Sequence, residues 1–118
     1  MAEVRSRIHI SFDIWTAPNH TPIVGICAHF LTQTLELKHP LIGLKHIKGH
    51  HTGLGIADIV ATVIDDFEIL PHQLGVYVAD NAGNYTTTIR SLVEHYHPDE
   101  PNNSRRGRCL GYIINLAA

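Results

Sequence analysis

Two aspartates stand at positions where the surrounding sequence does not require a carboxylate. In "ISFDIWT", Asp13 lies within a run that alternates between apolar and polar residues, and in "VADNAGN", Asp80 directly follows an apolar run. Asp80 would also suit a helix cap or a turn. Aspartate is depleted in strands, however, which makes Asp13 harder to explain locally. We therefore expect the two carboxylates to lie close together in the folded chain.

A pair of close carboxylates is suited to bind a divalent cation. Two negative charges repel each other, and a cation relieves that repulsion. Mg²⁺ prefers oxygen ligands and often takes one or two carboxylates, with water and phosphate completing its coordination. Two such ions about 3.5–4 Å apart activate a water or hydroxyl and stabilise the leaving oxygen in phosphodiester chemistry. Asp13 and Asp80 are therefore the candidate catalytic and metal-binding residues.

The first part of the chain predicts three strands joined by short turns. Residues 8–15 alternate with a period of two, and "IVGICAHFLT" is typical of a second strand that is apolar on both faces. A third strand is predicted over Leu35 to Ile47. Pro40 within it cannot donate to a strand ladder, which favours an edge position or a bulge. The short turns predict an antiparallel meander.

The pattern then changes to helical spacing. The first helix, for which Thr52 is the expected N-cap, has an apolar stripe of Ile56, Ile59, Val60, Val63, Ile64 and Phe67. "LGVYVAD" is a fourth strand, and a second helix follows with Ile89, Leu92, Val93 and Tyr96 on one face. A helical crossover favours parallel pairing of strand four with strand one. The prediction is an α/β fold whose mixed sheet has the order 3-2-1-4, with flanking helices and room for a fifth strand. The two aspartates then reach the edge where ligands bind in such sheets.

Length, composition and charge limit the class of protein. The 118 residues suffice for one domain, and 44% are hydrophobic, as in ordinary globular proteins. No apolar run approaches the ~18 residues of a membrane span, and the amino terminus lacks a secretory pattern, so an intracellular protein is expected. The formal net charge of -2 gives no general attraction to nucleic acid. The local basic cluster would contact phosphates or form a solvated face of the predicted exposed loop His97 to Arg108; it consists of Arg105, Arg106 and Arg108.

Histidines and cysteines offer weaker signals for a metal site. "HIKGHH" contains His46, His50 and His51, but its spacing matches no known zinc motif. Surface or turn histidines are therefore expected, and a separate metal-binding module is the alternative. Cys27 and Cys109 form no CxxC unit, so both are expected to be reduced.

Four segments, taken in order, resemble one known family. They are "SFDIWTAPNHTPIVGICAHFL", "GHHTGLGIADIV", "VADNAGNYTTTIRSLV" and "RCLGYIINLAA". Together they are similar to the first part of the RNase H-like catalytic domain of hAT-family transposases, from about Ile8 to the carboxyl end. The "DxWT", "HTG…IA" and "DNAxN" motifs are weak alone but specific in this order. The resemblance implies that residues 1–118 are a partial RNase H-like catalytic domain, truncated at its carboxyl end.

The resemblance implies metal-dependent DNA cleavage and strand transfer. Asp13 matches the family's first catalytic acid and Asp80 its second, and both would bind Mg²⁺ or Mn²⁺. Trp15, Asn81 and Asn84 fall in the neighbourhood of that site, where Trp15 would stack on a base or pack under the sheet. The family's third acid, a glutamate, has no match among these residues, and neither do its zinc-finger and dimerisation regions. DNA as partner, homo-oligomerisation through those regions and a nuclear location are also implied.

Departures from the family pattern bear on the expected activity. The family usually shows Arg-Cys-x-x-His, whereas this chain has Arg108, Cys109 and then Tyr112 in place of the histidine. Tyrosine supplies no imidazole nitrogen. Tyr85 and Thr86 likewise replace a common Asn-Asp pair. The favoured interpretation is a transposase fragment that is inactive on its own. The alternative is a degenerate or domesticated remnant that binds nucleic acid or protein without catalysis.

Overall fold

The computed structural model describes residues 6–16, 18, 22–47, 53–79, 85–101 and 106–107. Its elements in chain order are β1 (Ile8–Thr16), β2 (Pro22–Leu31), β3 (Leu37–Lys38), β4 (Leu41–His46), α1 (Gly53–Asp66), a 3₁₀ helix (Pro71–Gln73), β5 (Leu74–Ala79), α2 (Tyr85–Tyr96) and β6 (Arg106–Gly107). The order follows the predicted β-β-β-α-β-α. It differs in a division of the third strand and in the short strand β6.

The described strands form one mixed sheet in the order β3-β2-β1-β5-β6, with β4 also paired to β2. β1 is antiparallel to β2 and parallel to β5. α1 lies in the connection between β4 and β5, as a crossover to a parallel strand requires. The predicted α/β fold and the predicted strand order are therefore confirmed.

β6 corrects part of the predicted loop over His97 to Arg108. Arg106 pairs with Tyr77 and Gly107 with Val78, both in parallel register. The open edge of a strand offers unpaired backbone groups to any segment that passes beside it, and polar composition does not reveal that neighbour. Arg106 thus lies in a strand of the sheet rather than in a loop.

The predicted third strand is divided at Pro40. β3 pairs with the end of β2 through Leu37 opposite Leu31, and β4 pairs with the earlier part of β2. Between them the carbonyl of Pro40 accepts the N–H of Ala28 at 3.1 Å, but proline has no N–H to return. A register shift at Cys27 marks a bulge. In the described part of the chain this divided strand pairs with β2 alone, so both an edge position and a bulge are present.

One face of the sheet packs against both helices. Ile8, Ile10 and Phe12 alternate along β1 and are buried in the same cluster as the helix stripes. Gly43 of β4 lies under α1, where an added Cβ would sit 2.9 Å from Cγ2 of Val63, so the missing side chain permits the close approach. The helix residues that the spacing predicts and the structure buries are Ile56, Val60, Val63, Ile64, Ile89, Leu92, Val93 and Tyr96.

The end of α1 corrects the predicted apolar stripe, because Phe67 follows the helix and is 43% exposed. Glu68 has a left-handed φ of 56°. Its N–H donates to the carbonyl of Asp65, and the N–H of Ile69 donates to the carbonyl of Ile64. These two bonds form a Schellman motif, in which the chain reverses and a residue beyond the helix makes the apolar contact. Ile69 is buried and takes the place that the spacing assigns to Phe67.

A tyrosine joins the two helices. The hydroxyl of Tyr96 in α2 lies 2.9 Å from Oδ1 of Asp65 and 3.1 Å from the carbonyl oxygen of Ala61, both in α1. Burial, reinforced by the Asp65 carboxylate, raises the pKa of Tyr96, so the phenol stays protonated and donates.

Thr52, the expected N-cap of α1, lies outside the described residues. Among the helices that the structure describes, none has the length and hydropathy to span a membrane.

Candidate active site

β1 and β5 pair in parallel up to the residues that precede the two predicted acids. Phe12 of β1 is the partner of Ala79 of β5. Asp13 follows Phe12 in the sequence, and Asp80 follows Ala79. The carboxyl ends of parallel strands meet at the same edge, where ligands bind in open α/β sheets. Because Asp80 lies outside the described residues, its distance from Asp13 stays a prediction.

Asp13 is exposed on the face of the sheet opposite α1 and α2. Alternation along β1 places it on that face with Ser11 and Trp15. Its Oδ1 accepts the N–H of Ile14 at 2.9 Å, a local contact that orients the carboxylate while the residue stays open to solvent. A solvent-accessible carboxylate suits Mg²⁺, which dehydrates reluctantly and keeps several waters. The chemistry of this donor therefore fits the predicted ion.

The described residues contain no metal-binding cluster made of protein side chains alone. Within the described ranges, no three His, Cys, Asp or Glu side chains are grouped so that they could hold a metal ion. Asp80 is not among those residues. The predicted site uses two carboxylates with water and phosphate, and this arrangement differs from a cage made of protein side chains.

The ring of Trp15 contacts the backbone at Gly25, next to the candidate acid. An added Cβ on Gly25 would sit 2.7 Å from Cη2 of the Trp15 ring, so the ring occupies the space that a larger residue would need. Gly25 is the partner of Asp13 in the pairing of β1 with β2. Trp15 is nevertheless 45% exposed and does not join the buried core. Its exposed ring and the carboxylate of Asp13 share one face of the sheet.

A polar cluster on the same face carries no sequence motif. The Nε2 of His29 and the hydroxyl of Ser11 are 2.7 Å apart, and the ring of His29 stacks on that of His39 at a centroid distance of 6.2 Å. Burial lowers the pKa of His29 and also that of His9. Burial raises the pKa of the Cys27 thiol, against a hydrogen bond from Ser11 that lowers it. In the sequence, the alternation of polar with apolar residues along β1 predicts a polar face of the sheet. It does not show which side chains of other strands contact that face.

The remaining sequence-predicted residues are placed only in part. Arg106 is in β6, and His46 is exposed at the end of β4. The candidate residues outside the described part of the chain are Asp80, Asn81, Asn84, Arg105, Arg108, Cys109 and Tyr112, together with His50 and His51. The interpretation of the histidine cluster as a non-zinc segment, the state of Cys109 and the role of the arginines therefore stay predictions, whereas Cys27 is a free cysteine, as expected.

An antiparallel meander, a helical crossover and a strand parallel to the first define an RNase-like α/β domain. Residues 11–105, more than half of the chain, match the family described as the ZBED1 RNase-like domain. The chain belongs to that family.

Proteins with similar sequences include a transcriptional regulator and two transposases by description. A Talaromyces stipitatus protein described as a transcriptional regulator, tpeD, is 28% identical over 115 residues, which is 95% of this chain and 14% of that protein. Two Zea mays proteins, described as an AC transposase and an AC9 transposase, are each 23% identical over 123 residues. The match covers 100% of this chain but only 15% and 14% of those proteins. The chain is therefore a transposase-like domain that spans a small part of the relatives' length.

Proposed function

We propose that the chain is part of the catalytic domain of a hAT-type transposase whose parent activity is metal-dependent DNA cleavage and strand transfer. The observation that carries the proposal is the parallel pairing of Phe12 with Ala79, because an aspartate follows each of these residues in the sequence. The likeness to two Zea mays proteins described as transposases adds support.

In this proposal Asp13 and Asp80 hold Mg²⁺ or Mn²⁺ at the edge of the sheet. A bound ion supplies an activated water or hydroxyl and stabilises the leaving oxygen of a phosphodiester. Asp13 contributes an exposed carboxylate whose Oδ1 is oriented by the N–H of Ile14. The sequence offers these two acids but no match to the family's third, so the chain by itself should bind the ion weakly.

The proposed partner is DNA. Trp15 presents an exposed ring beside Asp13 on which a base can stack. Asn81 and Asn84 belong to the segment that follows β5 and are proposed to line the site. Contacts to phosphates that do not read sequence are assigned to the basic cluster, Arg105, Arg106 and Arg108. A nuclear location and homo-oligomerisation belong to the same proposal.

Binding of Mn²⁺ tests the proposed site directly. Free Mn²⁺ is measured by electron paramagnetic resonance during titration of the purified chain. We expect Asp13→Asn to weaken Mn²⁺ binding about tenfold or more, because the substitution removes a charged ligand. The matched control is Asp58→Asn, at an exposed position of α1. Equal Mn²⁺ affinity of the wild-type chain and Asp13→Asn would refute the proposed metal site.

A second candidate function is binding of nucleic acid or protein without catalysis. The observation that favours it is the likeness, over 95% of the chain, to a protein described as a transcriptional regulator. Tyr112 in place of the family's histidine points the same way. DNA binding that is equally strong with and without Mn²⁺, and unchanged by Asp13→Asn, would favour this function over the first.

A further inference from the structure

The parallel pairing of β1 with β5 contains a bulge. Ile8 is the partner of Leu74, but Ile10 is the partner of Tyr77. One residue of β1, His9, therefore faces two residues of β5, Gly75 and Val76. A bulge takes a backbone group out of the regular ladder, and in parallel pairs it is rare.

The side chain of His9 fills this bulge. The N–H of Val76 donates to Nδ1 of His9 at 3.0 Å, so the imidazole is the hydrogen-bond partner of a half-buried backbone N–H that the bulge takes out of the strand ladder. His9 is 5% exposed. Gly75 provides the space, because an added Cβ there would overlap Nδ1 and Cε1 of the ring. Since Nδ1 accepts a hydrogen bond, the ring is neutral and carries its proton on Nε2.

The bulge determines which residues of the two strands meet at the candidate site. Before the bulge, partners are separated by 66 positions, as in Ile8 and Leu74, and after it by 67, as in Phe12 and Ala79. Asp13 and Asp80 are also separated by 67 positions. Without the bulge, position 13 would be paired with position 79. A slip of one residue displaces a side chain along the strand and turns it to the other face.

We propose that His9 is a positioning residue for the candidate metal site, because its ring holds the bulge that pairs Phe12 with Ala79, the residues that precede Asp13 and Asp80 in the sequence. This inference rests on the proposed function for the presence of a metal ion. The hydrogen bond between Val76 and His9 can be measured in the absence of any metal. Replacement of the acceptor at His9 should release the bulge and shift the pairing of Phe12 with Ala79, after which the two acids follow in the sequence.

Protonation of His9 tests the same contact without a substitution. A proton on Nδ1 turns the acceptor into a donor that faces the donor N–H of Val76. Among the described residues, the charged and titratable groups that face His9 are His29 of β2, its partner in the pairing with β1, and Arg7, which precedes β1. β5 faces it with Gly75 and Val76, which carry no charge. Burial first, then His29 and Arg7, hold the pKa of His9 below its ordinary value of 6.5. The contact is therefore intact at pH 7 and is lost as the pH falls through this lowered pKa, which lies below 6.5.

The decisive measurement is hydrogen exchange of the Val76 amide by NMR, combined with Mn²⁺ titration of the same samples. His9→Leu removes the acceptor, whereas His9→Asn keeps an oxygen at the position of Nδ1 and does not titrate. We expect exchange at Val76 to be about tenfold faster or more in His9→Leu and near the wild-type rate in His9→Asn. Mn²⁺ affinity should fall about tenfold in His9→Leu and stay within about threefold in His9→Asn. In the wild type alone, protection of Val76 should fall below pH 6.5, and His9→Asn should lack this step.

The exchange rates and the Mn²⁺ affinities distinguish failure of the His9 contact, of its positioning role and of the metal site. Unchanged exchange at Val76 in His9→Leu, or wild-type protection that does not respond to pH, would overturn the proposal. Faster exchange with unchanged Mn²⁺ affinity would overturn the positioning role. If Asp13→Asn and the wild type bind Mn²⁺ equally, the proposed metal site fails and the positioning role fails with it; the Val76 exchange rates then show whether the contact itself exists.

Discussion

At the scale of single residues, the contact between Trp15 and Gly25 is the tightest described fit beside the candidate acid. A Cβ at Gly25 would sit 2.7 Å and 2.9 Å from two atoms of the Trp15 ring. We expect Gly25→Ala to displace the rigid ring and to lower the free energy of unfolding by about 1–3 kcal/mol. Urea denaturation measures the change, and the emission of the chain's one tryptophan reports the displaced ring.

The control for this prediction is the same substitution without the ring. In a Trp15→Ala background, Gly25→Ala should cost little or stabilise the fold, because alanine loses less backbone entropy than glycine in a strand. The difference between the two backgrounds is the coupling free energy of a double-mutant cycle. Equal costs in both backgrounds would show that Trp15 does not rest on Gly25.

At the scale of elements, the end of α1 holds a non-glycine residue where glycine is favoured. Glu68 has a φ of 56° within the Schellman motif, a conformation in which a Cβ is crowded. We expect Glu68→Gly to raise the free energy of unfolding by about 0.5–1 kcal/mol, after the greater entropy of glycine in the unfolded chain is subtracted. Thermal or urea unfolding measures the change.

The control for Glu68→Gly is a substitution to glycine in the interior of the other helix. Arg90 is exposed within α2, and Arg90→Gly should destabilise the fold by about 0.5–1 kcal/mol. The two substitutions to glycine should thus change stability in opposite directions. Destabilisation by both would mean that Glu68 makes a contact worth more than the relief of its backbone.

At the scale of the whole molecule, we expect this chain alone neither to cut nor to join DNA. Two ions need enough oxygen ligands to stay close against their mutual repulsion, and two aspartates offer few. Incubation of the purified chain with DNA ends in Mg²⁺ or Mn²⁺ checks this, with Asp13→Asn and Asp80→Asn beside it. Cleavage by the wild type that disappears in both variants would make the chain an enzyme in its own right.

The sequence by itself determined the type and order of most elements. Alternation over residues 8–15 and the helical stripe that ends at Ile64 depend on contacts that repeat at a fixed local spacing. The helical crossover between β4 and β5 then favoured a single topology, in which β5 pairs in parallel with β1. Even the interruption at Pro40 followed from a missing N–H, which is a property of that residue alone.

Only the tertiary structure decided the features that depend on a neighbour's backbone. α1 ends before Phe67 because the chain reverses at Glu68, which has a left-handed φ. Glutamate rarely adopts this conformation, so the sequence does not predict it. The strand at residues 106–107 exists because β5 offers an open edge. The bulge opposite His9 is the clearest case, since His9 accepts a hydrogen bond from the N–H of a residue 67 positions away in the sequence. Spacing along the chain carries no record of that contact, because the register of two strands is set where their backbones and side chains meet.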